Sequence, residues 1–157
     1  NAMKSNLTYT WYHYYKFIFN WLYNWKKFFN NDTEKFIIWC IPMLHRANKM
    51  RIEKKNLDSN ISAWRYDIDK IETQGINTMS LAEITGIPRP TVTRKLKSLI
   101  SNEHLYMDKN KLIHPGNQGE YKDEMYNIQN KSLNEFSDFT AKIFNQIIFK
   151  SFSSKTK

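Results

Sequence analysis

The sequence predicts a mainly α fold: a helix-turn-helix followed by a short β-hairpin, flanked by N-terminal and C-terminal helices. Three observations carry that expectation. SLAEITGIPRPTVTRKLKSLI, residues 80–100, sets a capping serine, a glycine stop and two prolines ahead of a second apolar-periodic run. HLYMDKNKLIHP, just after it, holds two short apolar runs around a polar turn. Long runs with apolar residues at spacings of three and four lie at both ends of the chain.

With 157 residues, the chain has room for one domain carrying an added subunit-contact element, and for a real core. Residues 3–57 are expected to form aromatic and basic packing helices, residues 58–115 the helix-turn-helix with its hairpin, and residues 116–152 a C-terminal dimerisation helix. Asn1 and Ala2, ahead of Met3, look like a scar of tag removal, so Met3 is read as the native start. Lys and Arg outnumber Asp and Glu by 24 to 15, a formal charge of +9 that favours a polyanionic partner, either nucleic acid or an anionic membrane surface. The single cysteine, Cys40, allows no intrachain disulfide and no Cys-rich zinc site, which suits a reducing cytoplasm. In FIIWCIPML it reads as a small buried hydrophobe rather than a redox sensor.

The aromatic stretch from Tyr9 to Phe29 is broken every few residues by His13, Lys16, Asn20 and Asn24, so it matches neither a spanning helix nor a signal peptide. On a helix these residues and Lys27 form one narrow polar stripe, and rings cover nearly everything else. Such a helix needs cover on most sides, from the chain's own helices and from a second subunit. An interfacial membrane helix is the rival reading, and a ring-lined ligand pocket the third.

In NNDTEKF, Asn31 with Glu34 reads as a cap, and a helix from about Thr33 should run toward Lys55 with a kink or break at Pro42. Its later half, HRANKMRIEKK, reads as a solvated cationic face. A further helix from Asp58 or Ser59 carries Ile61, Trp64, Ile68 and Ile71 on one face, and Gly75 stops it.

In the central stretch, Ser80 and Glu83 form a capping box, Gly86 ends the first helix, and Pro88 and Pro90 suit the first turn of the second. Val92, Leu96, Leu99 and Ile100 share one side of that second helix. Pro90, Thr91, Arg94, Lys97 and Ser98 lie opposite. No carboxylate occurs from Arg89 to Ser101, so the outward side repels itself unless a polyanion neutralises it.

SLAEITGIPRPTVTRKLKSLI resembles the helix-turn-helix of bacterial winged-helix regulators such as the MarR, IclR and Crp groups. The likeness spans roughly residues 58–115. It implies a winged helix-turn-helix fold, with Arg89, Thr91, Thr93 and Arg94 at positions where such proteins touch DNA. The wing is expected at 104–114, with Asn110 in a left-handed turn and Lys109 and Lys111 at the tip on phosphates. Asn117 with Glu120 should cap a helix of about thirty residues. Tyr121, Met125, Ile128, Phe136, Phe139, Ile143 and Ile147 stripe it. With the aromatic helix it would form a dimerisation layer, as terminal helices do in MarR-like proteins.

The expected function is therefore a homodimeric, sequence-specific DNA-binding transcription regulator in the cytoplasm, with recognition helix 89–101 in the major groove and the wing on the backbone. Arg94 is assigned to a base edge, Thr91 and Ser98 to bases or phosphates, and Lys97, Lys109 and Lys111 to phosphates. Two alternatives stand beside it: a winged-helix protein-interaction module for an acidic partner, and a replication or plasmid-maintenance DNA binder. An enzyme is not expected. His13, His45, His104 and His114 are scattered without metal spacing, and no nucleophile or phosphate-loop motif occurs. His104 and His114 would at most face each other across the wing as a structural pair. No cofactor or membrane partner is expected, and a small apolar effector could lodge among the N-terminal rings.

Overall fold

The computed structural model describes the backbone of residues 6–53 and 72–149, with side chains through 146. Its helices are α1 (Leu7–Phe28), α2 (Thr33–Glu53), α3 (Thr78–Thr85), α4 (Arg89–Ser101) and α5 (Lys122–Ile143). A two-stranded antiparallel sheet joins β1 (Leu105–Met107) to β2 (Ile113–Pro115). A 3-10 turn, Gly119–Tyr121, leads into α5, and a π-helical turn, Phe144–Phe149, follows it. The protein is thus mainly helical with one small hairpin. The expected helix through Ile61, Trp64, Ile68 and Ile71 lies outside the described residues.

The chain divides into two units: residues up to Asn30 together with those from Asp123 onward, and Asn31–Lys122. Helix α2 therefore belongs with α3, α4 and the hairpin rather than with α1. In this central unit α2 packs against α3, α4 and β2, and α4 packs against α3 and β1. Ile38, Leu81, Val92, Leu96, Leu99, Leu105 and Ile113 are almost fully buried and form its core. Ile76 adds a third, single-residue rung by exchanging both backbone hydrogen bonds with Ile113, at 2.9 and 2.8 Å.

Several caps differ from expectation, each for a local reason. α3 starts at Thr78, because the Asn77 side chain accepts from the Ser80 amide at 2.9 Å as the chain leaves the Ile76 rung. Ser80 thus sits inside the first turn, where asparagine has taken the cap that serine would otherwise supply. α2 is capped by Asp32, whose Oδ1 accepts from the Lys35 amide at 3.1 Å, since Asn30 and Asn31 are both left-handed. Pro42 does not end α2. It lies fully buried inside an unbroken helix, at the cost of one backbone hydrogen bond. The cap expected at Asn117 is absent because the chain turns one residue later. Gln118, at φ 68°, buries its side chain on the carbonyls of His104 and Gly116.

In the other unit α1 and α5 run antiparallel. Phe17 stacks on Phe139 with centroids 5.8 Å apart and meets Phe136 at 5.5 Å, while Lys131 donates to the Asn24 side-chain Oδ1 at 3.2 Å. The polar stripe of α1 does not face solvent alone. His13, Lys16 and Asn20 line a concavity of about 250 Å³ with Glu135, Asp138 and Lys142, so the stripe meets the acidic positions of α5. Trp11, Tyr12, Tyr15, Phe19, Leu22 and Tyr23 remain exposed, and Phe19 keeps 68% of its surface open. Among the described residues, nothing supplies the cover expected for these rings.

Candidate nucleic-acid interface

Helix α4 is the centre of the site. Pro88 stands at its N-cap and Pro90 in its first turn, where a missing amide hydrogen costs no intrahelical bond. Gly86, at φ 67°, makes the left-handed stop that lets α3 end and α4 begin three residues later. Val92, Leu96 and Leu99 bury one side of α4, at 2% exposure or less, and thereby fix which side faces out.

The exposed side carries Arg89, Thr93, Arg94 and Lys97, which with Pro90 line an open groove of about 440 Å³. Thr91 and Ser98, expected on the same side, are half-buried at its margin. The centre of the open face therefore lies nearer Thr93 than the helical projection placed it. Thr93 donates its hydroxyl to the Arg89 carbonyl at 3.0 Å.

Lys95 does not belong to this face. It is buried, and its ammonium meets the carboxylates of Asp32 and Glu34, the latter at 3.3 Å. One of the four cations of the stretch is thus neutralised from within, while Arg89, Arg94 and Lys97 remain exposed on the outward side. Burial pulls the Asp32 carboxyl upward, but the Lys95 ammonium and the Lys35 amide outweigh it and hold the group below its usual range. The projection that set Val92, Leu96 and Leu99 together also puts Lys95 beside them, and that signal could have found the anchor.

The hairpin presents Lys109 and Lys111, both exposed. Lys111, at φ 61°, takes the left-handed position expected of Asn110, because Asp108 dictates the turn. Asp108 Oδ1 accepts from the amides of Asn110 and Leu112, each at 2.8 Å, which leaves the left-handed step to the third loop residue. Its Oδ2 faces His114 Nε2 at 3.2 Å, His114 Nδ1 faces Thr73 Oγ1 at 3.2 Å, and the imidazole stacks on Tyr106 at 4.8 Å. The Leu112 amide, ahead of the His114 contact, holds the Asp108 carboxyl below its usual range.

His104 and His114 do not face each other. The register pairs His114 with Tyr106, while His104 is buried against Gln118, whose Oε1 lies 3.1 Å from its Nδ1. Burial keeps its imidazole below the ordinary histidine value. Arg46, read from sequence as part of a solvated face, is buried and donates to the Pro115 carbonyl at 2.7 Å, tying α2 to β2. These supports went unread because each depends on a partner far away in the chain.

Comparison with protein-family models, curated proteins and solved structures finds no match. The meaning of this face therefore rests on its own residues. Among the described residues no group of three His, Cys, Asp or Glu is placed to hold a metal ion. Burial pushes the Cys40 thiol up to about 12, so the group stays protonated and weakly nucleophilic. Among the described residues no helix is long and apolar enough to cross a membrane.

Proposed function

We propose that the protein is a sequence-specific DNA-binding transcription regulator of winged helix-turn-helix form, acting as a homodimer in the cytoplasm. The observation that carries this reading is the exposed side of α4: Arg89, Arg94 and Lys97 stand open around Thr93, and no carboxylate lies anywhere on the helix. The helix enters a major groove, Arg94 takes a base edge, most favourably the O6 and N7 of a guanine, and Arg89 and Lys97 hold the flanking backbone. The hairpin is the wing. Its Lys109 and Lys111 lie along phosphates and contribute salt-dependent, sequence-independent affinity.

The homodimer is supported by the open rings of α1. Two copies covering one another's Trp11, Tyr15 and Phe19 would bury these rings, and a dimer offers its two recognition helices to half-sites about 34 Å apart. Fluorescence anisotropy on random duplex, and on duplex selected by the protein from a random pool, tests the reading. Tighter binding of the selected duplex, with affinity falling steeply as salt rises, is the expected result. Equal affinity for both, or none at physiological salt, would point instead to an acidic protein partner. The genomic positions of the selected sites then separate a transcription regulator from a replication or plasmid-maintenance factor.

A further inference from the structure

Thr93 stands in the middle of the open face of α4, one turn after Arg89 and one turn before Lys97, within the groove that these residues share with Pro90 and Arg94. Its side chain is exposed, but its hydroxyl is engaged: Oγ1 donates to the Arg89 carbonyl at 3.0 Å. A threonine bonded back to its own helix holds the oxygen against the backbone, and the γ-methyl is left to meet whatever occupies the groove. The Thr93 methyl and the Pro90 ring therefore make a small apolar spot surrounded by two guanidinium groups and an ammonium.

We propose that this spot reads the 5-methyl group of a thymine in the DNA half-site. The proposal rests on the DNA-binding reading above and deepens it by naming a base. In the major groove the thymine methyl is the apolar group that unmodified base edges present, and a threonine methyl is a fitting partner for it. A phosphate would need a donor that the engaged hydroxyl does not offer, and the neighbouring cations already supply donors of that kind. Thr93 thus sets specificity, while Arg89 and Lys97 set affinity.

Deoxyuridine supplies the test, because it differs from thymidine by that methyl alone. After selection of a preferred duplex by the full chain, each thymine of the half-site is replaced in turn by deoxyuridine. One replacement in each half-site removes two methyls per dimer and should weaken wild-type binding about fifteenfold, about fourfold for each methyl packed against carbon. Thr93→Ser keeps the back-bonded hydroxyl and drops the methyl. It should bind the parent site as weakly as the wild type binds the deoxyuridine site, and be indifferent to the replacement. Thr93→Val keeps a methyl and should still discriminate. If no deoxyuridine position matters to the wild type, or if the preferred half-site has no thymine, the proposal falls and the DNA-binding reading stands. It falls likewise if the serine variant discriminates as the wild type does. Failure to select any preferred sequence would overturn both.

Discussion

Lys95 leaves the cationic face of α4 and spends its charge on Asp32, the residue that caps α2. One carboxylate thus both starts one helix and anchors the other, and the buried ammonium ties α4 to the start of α2 on the side that Val92, Leu96 and Leu99 turn inward. Lys95→Met should lower unfolding stability by about 2 kcal/mol, because Asp32 is left part-buried without its cation. Urea unfolding measures this. The Asp32→Asn, Lys95→Met double variant should lose less than the sum of the two single losses, and strict additivity would show that the pair does not interact.

Acid should loosen the central unit in a defined direction. Asp32 and Asp108 both titrate below the ordinary aspartate value of 3.8 in the folded chain. A depressed folded value means stability that is fully present above the unfolded value and is lost as pH falls through the folded one. Thermal melts should therefore be flat in this respect above about pH 5 and fall below about pH 4. Asp108→Asn should blunt the fall, and a steeper decline in that variant would contradict the assignment.

The proposed DNA contacts divide by kind. Arg94→Ala should lose about tenfold in preference for the selected site over guanine-substituted versions, since one bidentate base contact discriminates by roughly 1–3 kcal/mol. Lys109→Ala should weaken selected and random duplex alike and reduce the salt slope by about one. Competition anisotropy at several salt concentrations reads both. An Arg94 variant with unchanged preference would remove that residue from base reading.

Two glycines separate backbone strain from crowding. Gly86, at φ 67°, has nothing within 4 Å of an added Cβ, so Gly86→Ala should cost only the left-handed penalty, about 1 kcal/mol. Gly75, at φ 71°, would put that Cβ 2.6 Å from the His114 ring and 2.8 Å from Leu112. Gly75→Ala should therefore cost clearly more and loosen the hairpin, seen as faster amide exchange at Leu112 and Ile113.

The rings of α1 make the oligomer testable. Phe19, 68% exposed between Tyr15 and Tyr23, should tolerate a charge in the isolated chain but not against a second copy. Phe19→Asp is expected to shift the protein from dimer to monomer in sedimentation without lowering its helix content. A wild-type monomer at high concentration would remove the homodimer from the proposal.

Local pattern in the sequence was enough to place two short helices and the hairpin after them, down to α4 at 89–101 and the lysines of the turn. These features depend on residues close in the chain: glycine permits a left-handed step, proline suits a first turn, and apolar spacing selects a buried side. Cap choices slipped by one to three residues, because asparagine, aspartate and serine compete for the same amide and the neighbouring backbone decides among them. What only the tertiary structure decided was which charges remain available. Lys95 and Arg46 look like surface cations in the sequence, yet Asp32 and the Pro115 carbonyl draw them inward across 63 and 69 residues. Burying a charge is tolerable only beside such a partner, and distance along the chain carries no record of where the partner lies.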